Sequence, residues 1–164
     1  MSQAIRSSAQ VTLVALFSYL FGFQFTSLFH GATAGTGALW SLIAGVLVLQ
    51  ATRRSTWSSA RVRVLSSFIG AVVSAAYLSV RPFSALGMAV SIFVTVLICQ
   101  LAHLHDHTRP AVLTVGVIMV LASLNTTLPP VLGAMLRFGE SCVGTAMALL
   151  VILIWPEPEV LAQP

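Results

Sequence analysis

Apolar residues in this chain are gathered into six runs, each closed by a short polar or proline-containing segment. Val11–Phe29 follows a polar start with Arg6. Gly37–Leu49 is closed by Gln50 and the pair Arg53, Arg54. Val64–Val80 begins after Arg61 and Arg63 and stops at Arg81-Pro82; Phe83–Leu101 runs into the polar patch His103 to Pro110. Ala111–Leu124 ends before Asn125-Thr126-Thr127, and Val131–Trp155 ends at Pro156. These runs are continuous rather than alternating, which argues against barrel strands. A helix satisfies its backbone groups within the segment, as lipid requires. The pattern predicts an all-α integral membrane protein: one transmembrane domain over residues 1–164, with six helices near 9–29, 35–50, 62–80, 83–101, 111–128 and 131–155.

Composition agrees with lipid as the solvent. The chain is 57% hydrophobic and 7% charged, against about 25% charged residues in soluble domains. The formal net charge is +4, and all eight basic residues are arginine. They lie between or inside apolar runs, which reads as topology signals and membrane-surface contacts rather than a nucleic-acid interface. With the N-terminus in the cytoplasm, the inner segments hold Arg6, Arg53, Arg54, Arg61, Arg63 and Arg109, and the outer segments only Arg81. That asymmetry predicts both termini in the cytoplasm. The first apolar run exceeds the usual length of a signal-peptide core, so a retained helix is expected there.

A shift of 74 positions superimposes the third and sixth runs: Arg63 falls on Arg137, Ser67 on Ser141, Gly70 on Gly144 and Pro82 on Pro156. The runs before them superimpose as well. Two repeats of three helices follow, and an odd helix number per repeat gives the halves opposite membrane orientations, an inverted-topology arrangement. Gly70 and Ser74, then Gly144 and Ala148, place small residues four apart on the third and sixth helices, the spacing of close helix packing.

Few side chains here carry chemistry. Arg137 and Glu140 lie inside the sixth apolar run, three apart and so on one helix face. Ionisable groups in a membrane helix face a cavity or a partner. One reading is an anion site at Arg137 with Glu140 as a proton-coupled group; the other is a self-neutralised pair near the interface. Arg63 is either a carboxylate clamp or a topology-setting arginine at the mouth of the third helix. The patch His103, His105, Asp106, His107 has metal-ligand residue types but reads as a solvated loop, so no metal site is expected. Cys99 and Cys142 form no CxxC pair and read as small core residues. The stretch Gly31–Gly37 is rich in glycine but lacks the lysine of a phosphate-binding loop, and no hydrolase spacing is present. Neither an enzyme nor a cofactor is expected.

Leu39-Trp40-Ser41-Leu42 through Val46-Leu47-Val48-Leu49-Gln50-Ala51-Thr52, then Arg63-Val64-Leu65-Ser66-Ser67-Phe68-Ile69-Gly70-Ala71, resemble the fusaric acid resistance and aromatic acid exporter family. That family shows a Trp in its second helix, a "VVLQPT"-like exit and an Arg-to-Gly entry to the third helix. Arg6 fits its pattern, and Arg137 to Gly144 resembles the matching entry to the sixth helix. Plant aluminium-activated malate channels are similar at a greater distance. Ala51 stands where the family tends to have Pro, and Ser66-Ser67 replaces a Gly-Thr. Many members carry a soluble domain after the helices; the expectation here is the membrane module alone. The resemblance implies a transporter of the bacterial inner membrane that exports organic, aromatic carboxylate anions; proton coupling is the expectation that Glu140 adds. The partners expected are the small anion and membrane lipid, and, because six short helices enclose little volume, a second copy in a homo-oligomer packed through small-residue faces, a dimer being favoured. An anion channel of the same fold and a non-transporting membrane scaffold are the alternatives.

Overall fold

The computed structural model describes residues 3–50, 52–124 and 128–155. All regular structure among them is helical: α1 (Gln3–Phe29), α2 (Ala34–Val48), α3 (Arg53–Val80), α4 (Ala85–Leu101), α5 (Thr108–Leu124) and α6 (Pro130–Ile154). Single 3-10 turns, Gly31–Thr33 and His105–His107, precede α2 and α5. Five segments are long and apolar enough to cross a membrane; α4, at 17 residues, is the shorter apolar helix.

Prolines and caps set the boundaries. Pro82 disfavours helical geometry at Arg81, and α3 ends one residue earlier, at Val80. Ser84 then caps α4 by accepting from the Gly87 N–H at 3.0 Å. Pro110 sits in the first turn of α5 and Pro130 is the first residue of α6, positions where the missing N–H costs no helical bond.

The third helix differs most from its expected span. It starts at Arg53 rather than 62, so the arginine-rich stretch is helix and not loop. The reason is Thr52, whose hydroxyl accepts from the Ser55 N–H at 3.1 Å, an N-cap. At about 1.5 Å per residue its 28 residues reach roughly 42 Å, longer than the ~30 Å hydrocarbon core. The polar first turns therefore extend past the apolar run that marks the helix in sequence. Arg63 accordingly lies ten residues inside α3 rather than at its mouth. Smaller differences affect the others: α1 extends back to Gln3, α2 is 34–48, α4 begins at 85, α5 is 108–124 and α6 is 130–154. Ala51, Asn125 to Thr127, Pro156, Glu157 and Glu159 lie outside the described residues, and with them one repeat position and one departure from the family pattern.

The chain forms two compact units. One comprises Met1–Arg61 and Glu140–Pro164, the other Val62–Gly139, so α3 and α6 each contribute to both. The first unit has an apolar cluster of Val14, Val48, Ala60, Ala148 and Val151. At one end of it Gln10 Nε2 donates to the Trp155 carbonyl at 2.5 Å and the Arg6 guanidinium lies 5.9 Å from the Trp155 ring centre. The second unit is centred on Ala71, Leu78, Val115, Ile118, Met119 and Ala134. Here Gly70 packs so closely that a Cβ would strike the Ala111 carbonyl and Thr114, and Ser74 is fully buried.

α1 is turned inside out relative to a helix of a water-soluble protein. Its buried positions recur every four residues: Gln10, Val14, Ser18, Gly22 and Thr26. Its exposed positions include Leu16, Phe17, Leu20, Phe21 and Phe23. Small and polar inside, aromatic and aliphatic outside, is the arrangement expected when the solvent is lipid.

Candidate functional site

Four acidic residues occur in the chain, and Glu140 is the one placed inside an apolar run. Its side chain is fully buried in the first unit. An isolated buried carboxylate is costly enough that it must be paired, hydrogen-bonded or protonated. The structure supplies hydroxyl partners from two other helices. Thr26 Oγ1 of α1 donates to Glu140 Oε1 at 2.6 Å, and Ser41 Oγ of α2 donates to the Glu140 backbone carbonyl at 2.9 Å.

Several other buried or helical hydroxyls bond within their own helix. Ser66, Ser79, Thr95 and Thr114 each donate to the carbonyl four residues earlier in their own helix, at 2.6–2.9 Å. Such bonds satisfy a buried hydroxyl without any partner helix. Thr26 and Ser41 instead spend theirs on a carboxylate-bearing residue of α6.

Close helix approach makes those bonds reachable. A Cβ on Gly37 would overlap Thr26 Oγ1 and the Glu140 carboxylate, so glycine leaves the space in which they meet. One turn beyond Glu140, a Cβ on Gly144 would overlap the Ser41 backbone carbonyl and press on the Gly45 N–H. Gly144 thus sets the separation of α2 and α6, and Ala148, fully buried, continues that face into the apolar cluster.

At the end of α1 the polar surroundings continue. The His30 N–H donates to the Thr26 carbonyl at 2.8 Å, and His30 Nδ1 lies 3.1 Å from Thr33 Oγ1. Thr33 is buried and His30 half-buried. Toward the other end of the same stripe, Ser18 Oγ is buried with no hydrogen-bond partner among the described residues, and so is Thr145 Oγ1 on α6.

The two other predicted binding residues belong to the second unit. Arg63 on α3 and Arg137 on α6 are each only 4% exposed. Both guanidiniums are therefore held within the protein rather than extended into solvent. Arg137 precedes Glu140 by three positions on α6. The histidine patch behaves differently: the His103 and His105 rings are 6.3 Å apart in a turn where His103 takes φ 56°. No group of three or more potential metal ligands forms among the described residues. Cys99 and Cys142 are free thiols.

The sequence does not mark Thr26 as a site residue, and Gly37 and Ser41 enter it only through the glycine-rich stretch and the family motif. The signal is visible in retrospect as a four-residue period of polar and small residues through the first apolar run and its flanks: Arg6, Gln10, Ser18, Gly22, Thr26 and His30, with only Val14 interrupting.

Residues 11–151 match the family described as fusaric acid resistance protein-like. Searches of curated proteins and of solved structures found no match.

Proposed function

Since the chain belongs to the fusaric acid resistance protein-like family, we propose that it is a membrane carrier exporting organic, aromatic carboxylate anions with proton coupling. The family description points to membrane transport or resistance, and fusaric acid is itself an aromatic carboxylic acid. The observation that carries the proton part is Glu140: a fully buried carboxyl in a membrane-type helix, held by a hydroxyl from α1. An open anion pore has no need of a buried acid, which lowers the local concentration of anions by repulsion. A carrier whose acid is protonated while the anion is bound does.

In this reading Arg137 and Arg63 receive the substrate carboxylate. Arginine keeps its charge at any accessible pH and presents a planar fork suited to two-point carboxylate contact. Glu140, one turn from Arg137 on the same helix, is protonated while the anion is bound, so that one arginine couples substrate and proton.

The inverted two-repeat architecture is part of the proposal. Its support is the spacing of the elements. The two 3-10 turns, the starts of α2 and α5, and the ends of α3 and α6 are all separated by 74 positions. The buried stripe of α1 matches that of α4 one position closer: Val14, Ser18, Gly22 and Thr26 against Gly87, Ser91, Thr95 and Cys99. The extra residue falls near the His103 turn. The chemistry is not repeated. The counterparts of Gly37, Ser41 and Glu140 are Ala111, Val115 and Ser66, and Val115 belongs to an apolar cluster. The fold therefore does not itself require the acidic site. We further propose cytoplasmic termini, the bacterial inner membrane and a homodimer, on the arginine asymmetry and the family likeness.

The test is flux of a panel of aromatic and aliphatic weak acids in proteoliposomes under an imposed pH gradient. Arg137→Gln should abolish flux while the protein remains folded and inserted, and Arg137→Lys should be partly active. Glu140→Gln should keep substrate binding and lose the pH dependence. Normal transport by Arg137→Gln refutes the site. Flux indifferent to the gradient and to Glu140→Gln indicates a channel, and absence of any flux indicates a scaffold.

A further inference from the structure

The outward face of α1 carries an amide in the middle of apolar sequence. Gln24 lies inside the run Val11–Phe29 and is exposed. At about 1.5 Å per residue it stands roughly 7.5 Å short of the end of that run, within the depth that lipid tails occupy. Its backbone carbonyl accepts from Ser27 Oγ at 2.8 Å, but its side-chain amide makes no hydrogen bond to any described residue. Neighbouring hydroxyls are provided for: Thr12 and Ser27 donate to carbonyls of α1, and Thr26 donates to Glu140. Water does not reach the lipid-facing side at that depth, and an amide without a partner there is costly.

The residues around Gln24 form a packing seam. Phe17, Leu20, Phe21, Gln24 and Leu28 recur at three- and four-residue spacing, the positions of one helix face. All are exposed, Leu28 to 81%. An open groove of ≈ 460 Å³ lies against this face, lined by Tyr19, Leu20, Phe21, Phe23 and Gln24. Such a hollow between side-chain ridges accepts the knobs of a neighbouring helix. The small-residue faces expected to join two copies are occupied within the chain, since Gly70, Ser74, Gly144 and Ala148 are all buried. A second copy must therefore meet a different surface.

We infer that this face of α1 is where a second copy of the chain docks, with Gln24 paired to its own counterpart. The inference rests on the homodimer reading above and supplies its interface. Symmetry identifies the occupant. Copies inserted in the same orientation are related by a twofold axis along the membrane normal, so each residue lies at the depth of its counterpart. A residue beside the axis must then suit itself. An amide does: it has both donor and acceptor, and two facing amides exchange two N–H···O bonds. A charged side chain in its place would meet a like charge. Lipid tails offer an amide nothing, whereas polar side chains between membrane helices hold them together. One polar residue in an apolar seam also fixes its register.

Association is measured by energy transfer between donor- and acceptor-labelled copies diluted with lipid in liposomes. Gln24→Leu should weaken the dimer about tenfold, the scale of two interhelical hydrogen bonds in a membrane. Gln24→Asn, which keeps the amide, should stay closer to wild type. In a background lacking Cys99 and Cys142, Gln24→Cys should oxidise to a disulfide-linked dimer. Phe93→Cys, on the exposed face of α4, should not. Wild-type affinity of Gln24→Leu, or equal cross-linking at the two cysteines, overturns the inference and leaves the homodimer standing. Weakened association of Gln24→Leu together with a lower melting temperature of the diluted monomer assigns Gln24 to folding and overturns it equally. Cross-linking of Gln24→Cys in cell membranes to a chain of different mass gives the face to another protein, again against the inference. A wild type that stays monomeric at every dilution removes the homodimer reading itself.

Discussion

Gly144→Ala and Gly116→Ala make the same chemical change in two helices and should have opposite effects. Glycine in a helix interior is less favourable than alanine by about 0.8–1.0 kcal/mol, so propensity alone stabilises both variants. Gly116 on α5 has no atom within 4 Å of where its Cβ would lie. Its variant should gain most of that propensity. At Gly144 the new methyl meets the backbone carbonyl of Ser41 and the Gly45 N–H. A backbone obstacle cannot rotate aside as a side-chain tip does, so α2 and α6 must separate. Overpacking costs typically 1–3 kcal/mol and occasionally more; a backbone clash belongs at the top of that range. After the propensity gain, a net loss of about 2 kcal/mol remains. The two variants should thus differ by about 3 kcal/mol, roughly a 150-fold difference in the unfolding equilibrium. Unfolding of purified protein in mild detergent, followed by tryptophan fluorescence, measures it. Separation of α2 and α6 also stretches the Ser41 bond to the Glu140 carbonyl, so flux should fall in Gly144→Ala even below its melting temperature. Equal stability of the two variants, or a destabilised Gly116→Ala, refutes the close-approach reasoning.

Two further outcomes test the boundaries of the fold and its orientation. Thr52→Ala removes the cap on α3 and should cost about 0.5–2 kcal/mol, measured by the same unfolding assay, with Thr52→Ser close to wild type. In a background lacking Cys99 and Cys142, a cysteine at Trp57 should react with a cell-permeant thiol reagent only. Labelling by an impermeant reagent in intact cells reverses the topology.

The proposed transport of a carboxylate anion poses an electrostatic problem that the chain's composition answers in one direction. Arg63 and Arg137 place fixed positive charge inside helices, and Glu140 adds a single negative group that protonation can remove. The proposed cycle uses that difference: the arginines stay charged throughout, and the carboxyl alone switches.

The sequence by itself determined the solvent and the elements. Continuous apolar runs with almost no charge suit membrane helices, and the six helices are legible because local hydrophobicity requires no knowledge of tertiary contacts; five of these segments are long enough to cross. It also carried the family, through short patterns such as Leu49-Gln50 and Arg63 to Gly70, and it marked Glu140 as anomalous because a carboxyl in an apolar run is costly anywhere. The start of α3 was not legible, since a polar, arginine-rich turn looks like a loop until the Thr52 cap is seen. Nor were the partners of Glu140. Thr26 and Glu140 are separated by 114 positions, and Ser41 and Glu140 by 99. Hydroxyls in membrane helices usually bond back to their own chain, as Ser66 and Thr95 do. Which of them turn outward to a neighbouring helix depends on how closely two backbones approach. That distance is fixed by glycines such as Gly37 and Gly144 packing against particular atoms of other helices, a property of the folded arrangement and not of any local stretch of chain.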